Sequence, residues 1–447
     1  MSTCPIFSNI GHIDVGHNSA IITELPICAW IMNPKRKAPK PIIDNLEFIG
    51  NPFKQQGFTT AAYLVAPVSG ADVDLEYALK FLYSYNGSTA TFNSYRREIE
   101  RLLQWSWHIN VTSVLALKRE HIEEFIRFCF NPPKAWIGVK NVARFKSKDG
   151  ARIINADWRP YVVTVSKMDS KKGVVPDPKT YCPSQSSIKA TFTAVSSFYD
   201  HLIQENLIDS NPVALIKQKS KFVRKEQSKP VVRRISNIQW DYVLEVVERM
   251  ADEDPEQHER SLFVMNCLFA MYLRISELVA DERSSPVMGD FKKDHDNNWW
   301  LHVTGKGNKS RAITVCNDML SALKRYRKYQ GLSTYPTVGE QTALVPKLKG
   351  TGPVTSTRQI RRLVQDCFDA AYEQMKADGL EEDAAELRTA TVHWLRHTGI
   401  SEDVKFRPRE HVRDDAGHAS MATTDRYIDS DLRERHASGR EKRIKDI

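Results

Sequence analysis

Apolar residues recur at helical spacing in three stretches of the first half of the chain: DVDLEYALKFLYSY, TFNSYRREIERLLQWSWHI behind a threonine placed to cap it, and REHIEEFIRFCF. A fourth stretch, SQSSIKATFTAVSSFYDHLIQENLI, ends in the turn signal DSNP before Val213. The pattern predicts a helical unit over residues 71–216. It is broken from Asn131 to Pro183 by NPPKAWIGVKNVARFKSKDG and ADWRPYVVTVSKMDSKKG, basic loops with interleaved aromatics, which read as an insertion at about 131–183. Residues 1–70 have little periodicity and many Pro, Asn, Gly and Lys, as in an N-terminal extension whose role the sequence does not disclose.

From residue 235 to 447 the spacing is again mostly helical: IQWDYVLEVVERM, then SLFVMNCLFAMYLRISELVA as one apolar helix, MLSALKRYRKYQ, RQIRRLVQDCFDAAYEQMKAD and short helices to the end. Between the second and third lie two β-prone runs, WWLHV and RAITV, around the turn TGKGNKS, a hairpin with Lys306 at its tip. The expected fold is mainly α with a small β-sheet, and no repeat of solenoid or propeller period is present. The connection at 217–234, KQKSKFVRKEQSKPVVRR, has eight basic residues against Glu226 and few large apolar groups, so it reads as an extended basic linker.

Composition adds a partner. Across 447 residues, 64 Lys and Arg outnumber 55 Asp and Glu, for a formal charge of +9, and an anionic partner fits that balance. Lys217, Lys219, Lys221, Arg224, Lys225, Arg233 and Arg234 of the linker are placed to follow a nucleic-acid backbone, since Lys and Arg release condensed counterions on meeting phosphates; a solvated spacer is the competing reading. The seven cysteines stand singly, without a CxxC pair, as in a reducing cytosol. The longest apolar run, Ser261 to Ala280, is interrupted by Arg274 and Glu277, and the N-terminus lacks signal-peptide order, so no membrane association and a cytoplasmic location are expected.

Three clusters carry candidate chemistry. Arg274, read inside an apolar helix, needs a partner, and Glu277 one turn on can hold the guanidinium while leaving donors for a ligand; a purely structural ion pair competes. In HWLRHT, His393 and Arg396 share a helix face; His393 and His397 also have metal-ligand spacing, but the HExxH glutamate and a third ligand are missing. In AGHASMATTDRYID, His418 precedes Tyr427 by nine positions. Singly, such a His or Tyr is usually a turn or packing residue. Together with Lys306 these are the groups needed to break a phosphodiester without metal or cofactor: cations for developing charge, a proton donor and a nucleophile.

LRISEL, TGKGNKSR, HWLRH, GHAS and TTDRY resemble, in order, the catalytic boxes of the tyrosine recombinase (phage integrase) family, and TFNSYRREIERLLQW with FYDHLIQENLIDSNPV resembles its core-binding domain. The resemblance implies a two-domain architecture: a SAM-like helical core-binding domain at 71–216 and a mixed α/β catalytic domain at 235–447. It implies that Arg274 and Arg396 clamp the scissile phosphate and that Tyr427 attacks it to give a 3′-phosphotyrosyl link. By the same likeness Lys306 protonates the leaving 5′ oxygen, His393 assists proton transfer, His418 hydrogen-bonds the phosphate and Glu277 supports the geometry. Double-stranded DNA at a recombination site, a homotetramer passing through a Holliday junction, and an accessory DNA-bending or directionality protein are the implied partners, with Trp158 and Arg159 of the insertion near phosphates. The tail SDLRERHASGREKRIKD reads equally as a segment docking on a neighbouring protomer and as a solvated basic helix. The insertion suggests a recombinase of a bacterial transposon, such as a cointegrate resolvase, or of an integrative element. A non-catalytic DNA-binding protein of the same fold and a type IB topoisomerase are the alternatives.

Overall fold

The computed structural model describes residues 38–52, 68–166, 169–170, 172–214, 216, 233–305, 309–427 and 439–440. The chain divides into two units, Met1–Gln227 and Ser228–Ile447. Both are mainly helical, as the hydrophobic spacing predicts; the second has the expected small sheet, while the first has two more in the insertion, which the sequence reads as loops. Among the described residues no helix is long and apolar enough to cross a membrane.

The first unit packs α1 (Ala71–Tyr83), α2 (Thr89–Trp105), α3 (Arg119–Phe130) and α4 (Gln185–Gln204) around a core that includes Leu82, Phe92, Ile99, Phe125 and Phe198. Ser88, rather than a threonine, caps α2, accepting the Thr91 N–H on its Oγ at 3.4 Å. The helix then widens into a π turn, Ser106–Asn110, and stops at Val111 with φ 55°. Within the insertion, β1 (Ile137–Gly138) pairs in parallel with β4 (Tyr161–Val162), and β2 (Phe145–Lys148) pairs antiparallel with β3 (Ala151–Ile154). The insertion's Trp136, Trp158 and Tyr161 face the interior. Part of the N-terminal extension belongs to this unit: Ile42 and Ile43 are buried, their N–H groups donating to Glu100 Oε1 at 2.6 and 3.2 Å.

The second unit opens with α5 (Asn237–Glu253), started by a capping box in which Ser236 and Gln239 satisfy each other's backbone N–H. Pro255 occupies the first turn of α6 (Pro255–Ala270), behind an Asp254 cap. A three-stranded antiparallel sheet follows, in the order β5 (Phe291–Lys293), β6 (Trp299–Thr304), β7 (Ser310–Thr314); the hairpin of β6 and β7 was legible, and β5, three residues of FKK, was not. Then come α7 (Asn317–Tyr329), α8 (Thr357–Ala377), α9 (Glu381–Leu387), α10 (Val392–Asp403), α11 (Arg409–Ala416) and α12 (Met421–Thr424).

One predicted element is corrected. SLFVMNCLFAMYLRISELVA is not a single helix: α6 ends at Ala270, Tyr272 takes φ 49°, and Arg274 is extended ahead of a 3-10 turn over Ile275–Glu277. The cause is α10. Gly399 lies so close to α6 that a Cβ there would stand 2.2 Å from the Phe269 carbonyl oxygen, and Arg396 takes the Tyr272 carbonyl. An apolar helix pattern is overridden because a guanidinium needs the carbonyls that helix propagation would use.

Candidate active site

The break after α6 turns Arg274 toward α10 and the loop after α11. Arg274, His393, Arg396, His418 and Tyr427, five of the predicted catalytic residues, line one cavity of about 460 Å³ together with His397 and with Arg233 of the predicted DNA-binding set.

Arg396 is buried and is fixed by backbone: its guanidinium donates to the carbonyls of Tyr272 and, at 2.6 Å, Ala416. Its Nη2 also lies 3.2 Å from His418 Nε2. Burial and then the Arg274 charge pull its pKa down to about 10, which leaves it cationic at neutral pH. The acceptor loops are held in turn. Tyr272 OH bonds Asp403 and receives Arg407 Nη1 at 3.0 Å, while Arg407 Nη2 donates to Asp415 Oδ2 at 2.6 Å.

Arg274 donates Nη1 to Glu277 Oε1 and Nη2 to the Gly417 carbonyl, both at 3.0 Å, and its backbone N–H donates to Glu277 Oε2 at 2.8 Å. Glu277 therefore holds Arg274 as the sequence proposed, but it is shared. Arg311 of β7 grips the same carboxylate through Nη1 and Nη2 at 2.8 and 2.9 Å and donates Nε to the Asp415 carbonyl at 2.8 Å. Burial pushes the Glu277 carboxyl up, yet the bonds and charge of Arg311, with Arg274, outweigh it and hold the pKa below the ordinary value. With two guanidiniums on one carboxylate, the cluster keeps net positive charge.

His418 has an assignable tautomer. A guanidinium has no acceptor, so Nε2 must accept from Arg396, and Nδ1–H then donates to Thr424 Oγ1 at 2.9 Å. Burial first, then Arg396 and Arg274, pull its pKa to about 4. Burial, then His393 and Arg396, do the same to His397, also to about 4, and burial followed by Arg396 lowers His393. All three imidazoles are thus neutral at pH 7. The Tyr427 ring lies 5.0 Å from that of His397 and 5.4 Å from that of His418, stacked on the latter at 12°. It packs beside the small cluster of Tyr272, Ile400, Val412 and Ala416, which puts the hydroxyl-bearing residue on a fixed floor.

Lys306 lies outside the described residues, as do Lys217, Lys219, Lys221, Arg224 and Lys225 of the linker. Gly305, immediately before Lys306, is described, and a Cβ there would be 3.1 Å from Glu277 Oε1. Arg233 joins the cavity, and Arg234 is half-buried beside it in sequence. The structure does not bring Trp158 to the surface: it is 6% exposed, with Arg144 over its ring at 5.3 Å. Arg159 donates Nη1 to the carbonyls of Ala156 and Trp158, both at 2.7 Å. Among the described residues no group of three or more His, Cys, Asp or Glu is arranged to hold a metal ion, and the His397 ring lies between those of Tyr427, at 5.0 Å, and His393, at 6.4 Å.

Arg311 and His397 are the site residues that motif reading missed. A signal for Arg311 was present. Residues 311 and 313 share a strand face, and Ile313 with its opposite number Leu301 is fully buried, so a charged residue on that face requires a buried partner.

No protein-family model matches the sequence. The chain is similar to the tyrosine recombinase XerC of Chlorobaculum parvum, 30% identical over 146 residues, which are 31% of this chain and 41% of that protein. It is also similar to the tyrosine recombinase XerC of Leptospira interrogans, 29% identical over 238 residues, 53% of this chain and 65% of the relative. The matches thus span about two-fifths to two-thirds of these relatives' length. In fold it is similar to the XerH site-specific recombinase bound to a palindromic difH substrate in a post-cleavage complex, with TM-score 0.51, 15% identity, and coverage of 85% of this chain and 92% of that one.

Proposed function

We propose that the chain is a tyrosine recombinase, a site-specific DNA recombinase that cuts and rejoins strands through a 3′-phosphotyrosyl bond to Tyr427; its likeness to the tyrosine recombinases XerC supports the reading. The observation that carries the reading is the single cavity in which Arg274 and Arg396, two guanidiniums fixed by carbonyls and a carboxylate, face Tyr427 and three neutral histidines.

The scissile phosphate enters between Arg274 and Arg396, whose forks match its oxygens and supply the charge that forms as the Tyr427 oxygen attacks phosphorus. Because His393 and His397 are uncharged at neutral pH, either can accept the tyrosine proton; the motif likeness favours His393. The P–O5′ bond breaks as the P–O(Tyr) bond forms, and Lys306 gives a proton to the leaving 5′ oxygen. One ester replaces another, so religation by the 5′ hydroxyl returns the proton and needs no nucleotide hydrolysis, and the two arginines supply the charge a metal would otherwise provide. His418 bonds a phosphate oxygen once protonated on Nε2.

The partners proposed with this reaction are a duplex recombination site, three further copies of the chain on synapsed DNA, and an accessory protein that sets direction, in the cytoplasm of a bacterium carrying the mobile element. The test is to incubate the protein with labelled native flanking DNA, denature in SDS, and look for a protein-linked strand. Wild type should give one and Tyr427→Phe should bind without linking. Cleavage by the Phe variant would remove Tyr427 as nucleophile, and binding without any covalent product in wild type would favour a non-catalytic binder. Relaxation of supercoils at any sequence, without recombination, would favour a type IB topoisomerase.

A further inference from the structure

Hairpin β2–β3 projects from the insertion and is built as a braced ribbon. Asp149 and Gly150 form its two-residue turn with φ 50° and 77°, which suits a tight hairpin. Its register pairs Ser147 with Arg152 and Lys146 with Ile153, so alternation sends Phe145, Ser147, Arg152 and Ile154 to one face and Lys146, Lys148, Ala151 and Ile153 to the other.

The first face is tied down. Phe145 is buried. Arg152 donates Nε and Nη2 to Asp44 at 2.8 and 2.7 Å, and its guanidinium lies 4.0 Å from the centre of the Phe48 ring. At the base, Arg144 Nε donates to the buried Glu100 at 2.8 Å, and Asn155 bonds the carbonyls of Ala143 and Arg144. Two of the hairpin's cations are thereby committed inward, and the segment around Asp44 acts as a strap under the ribbon.

On the opposite face the charge is outward. Lys146 and Lys148 are exposed, and their cross-strand partners are Ile153 and Ala151, which offer no carboxylate. Lys146 reaches Asp157 at 3.5 Å, a pair of largely exposed side chains of little energetic weight. Lys140 is exposed on the preceding loop.

We propose that this face of the hairpin is a DNA-backbone contact site, with the strap around Asp44 as its brace. The proposal rests on the recombinase reading for the nature of the partner. Each strand of four residues is about 13 Å long, and a two-stranded ribbon of such dimensions fits against or within a duplex groove. Two lysines on one ordered face meet phosphates without first having to order the ribbon, because the brace has already done so. Duplex DNA is the occupant that fits: a polyanion satisfies both lysines, and the face has little apolar area to hold a protein.

The experiment measures binding of full-length protein to its native flanking duplex against NaCl concentration. Lys146→Ala/Lys148→Ala should flatten the log–log slope by roughly two, about 0.9 for each phosphate that is no longer neutralised, and weaken binding roughly ten-fold or more at low salt. Lys146→Arg/Lys148→Arg should keep the wild-type slope, and all three proteins should melt together because both side chains are exposed. In parallel, DNA should protect Lys146 and Lys148 from acetylation read by mass spectrometry. With wild-type binding intact, an unchanged slope in the alanine variant or unprotected lysines would overturn the hairpin site alone. Absence of wild-type binding would overturn the recombinase reading as well.

Discussion

Arg311 and Glu277 form a two-bond pair in which both side chains are nearly buried, 11% and 2% exposed. Removing one partner of such a pair leaves a charge without compensation, which costs about 3–5 kcal/mol, whereas removing both is far less damaging. We therefore expect Arg311→Gln to lower unfolding stability by about that amount in urea titrations. Glu277→Gln added to it should cost less than the sum of the two single losses, because the Arg311 bonds to that carboxylate are already gone. Additive losses in the double variant would show that the two residues do not act as a unit.

Arg396→Lys keeps the charge and should still fail. A lysine cannot reach the Tyr272 and Ala416 carbonyls together while presenting donors to phosphate. Cleavage measured on a nicked suicide duplex should fall about 10²–10³-fold, as when a preorganised donor is lost, with gel-shift affinity much less affected. Near-normal cleavage by the lysine variant would mean that charge alone suffices at this position.

Gly417 has φ 63°, and a Cβ there would stand 2.8 Å from Arg311 Cδ. Gly417→Ala should cost about 1–3 kcal/mol for a side chain held in the left-handed region, plus displacement of Arg311. Since the Gly417 carbonyl accepts from Arg274, cleavage should fall further than melting temperature alone accounts for. Equal loss in both readouts would point to folding only.

DNA binding should take up protons below about pH 6.5. In the free protein His418 and His397 titrate near 4, because of burial and then neighbouring cationic groups. A phosphate between the arginines cancels that repulsion and raises both pKa values, so affinity rises as pH falls toward 5. Stability of the free protein runs the opposite way: folded pKa values below the unfolded 6.5 give stability that is complete above pH 6.5 and lost as pH falls toward 4. Calorimetry in two buffers of different ionisation enthalpy measures the uptake, and His418→Gln should diminish it. Uptake of zero at pH 5.5 would show that bound phosphate does not raise the pKa values of His418 and His397.

The helices and the β6–β7 hairpin were readable because their apolar periodicity is long and agrees with burial. Arg274, His393, Arg396, His418 and Tyr427 could be grouped by motif, and they do share one cavity. The reading failed where tertiary demands outweighed local pattern. α6 stops at Ala270 because Arg396 claims a carbonyl from a residue 124 positions earlier, which periodicity cannot register. Trp158 looked like a nucleic-acid aromatic because it sits among basic residues, yet Arg144 and the core cover it. Arg311 was passed over because its partner is distant in sequence, although the strand alternation placed it inward.

The bond from Arg152 to Asp44 spans 108 positions. Closing a loop of that length costs only about 0.6 kcal/mol more than closing one half as long, so thermodynamics tolerates it, but pairings of high sequence separation form slowly. During synthesis the strap is made before α2 and the hairpin, so its bonds to Glu100 and Arg152 cannot form until those segments have followed it from the ribosome.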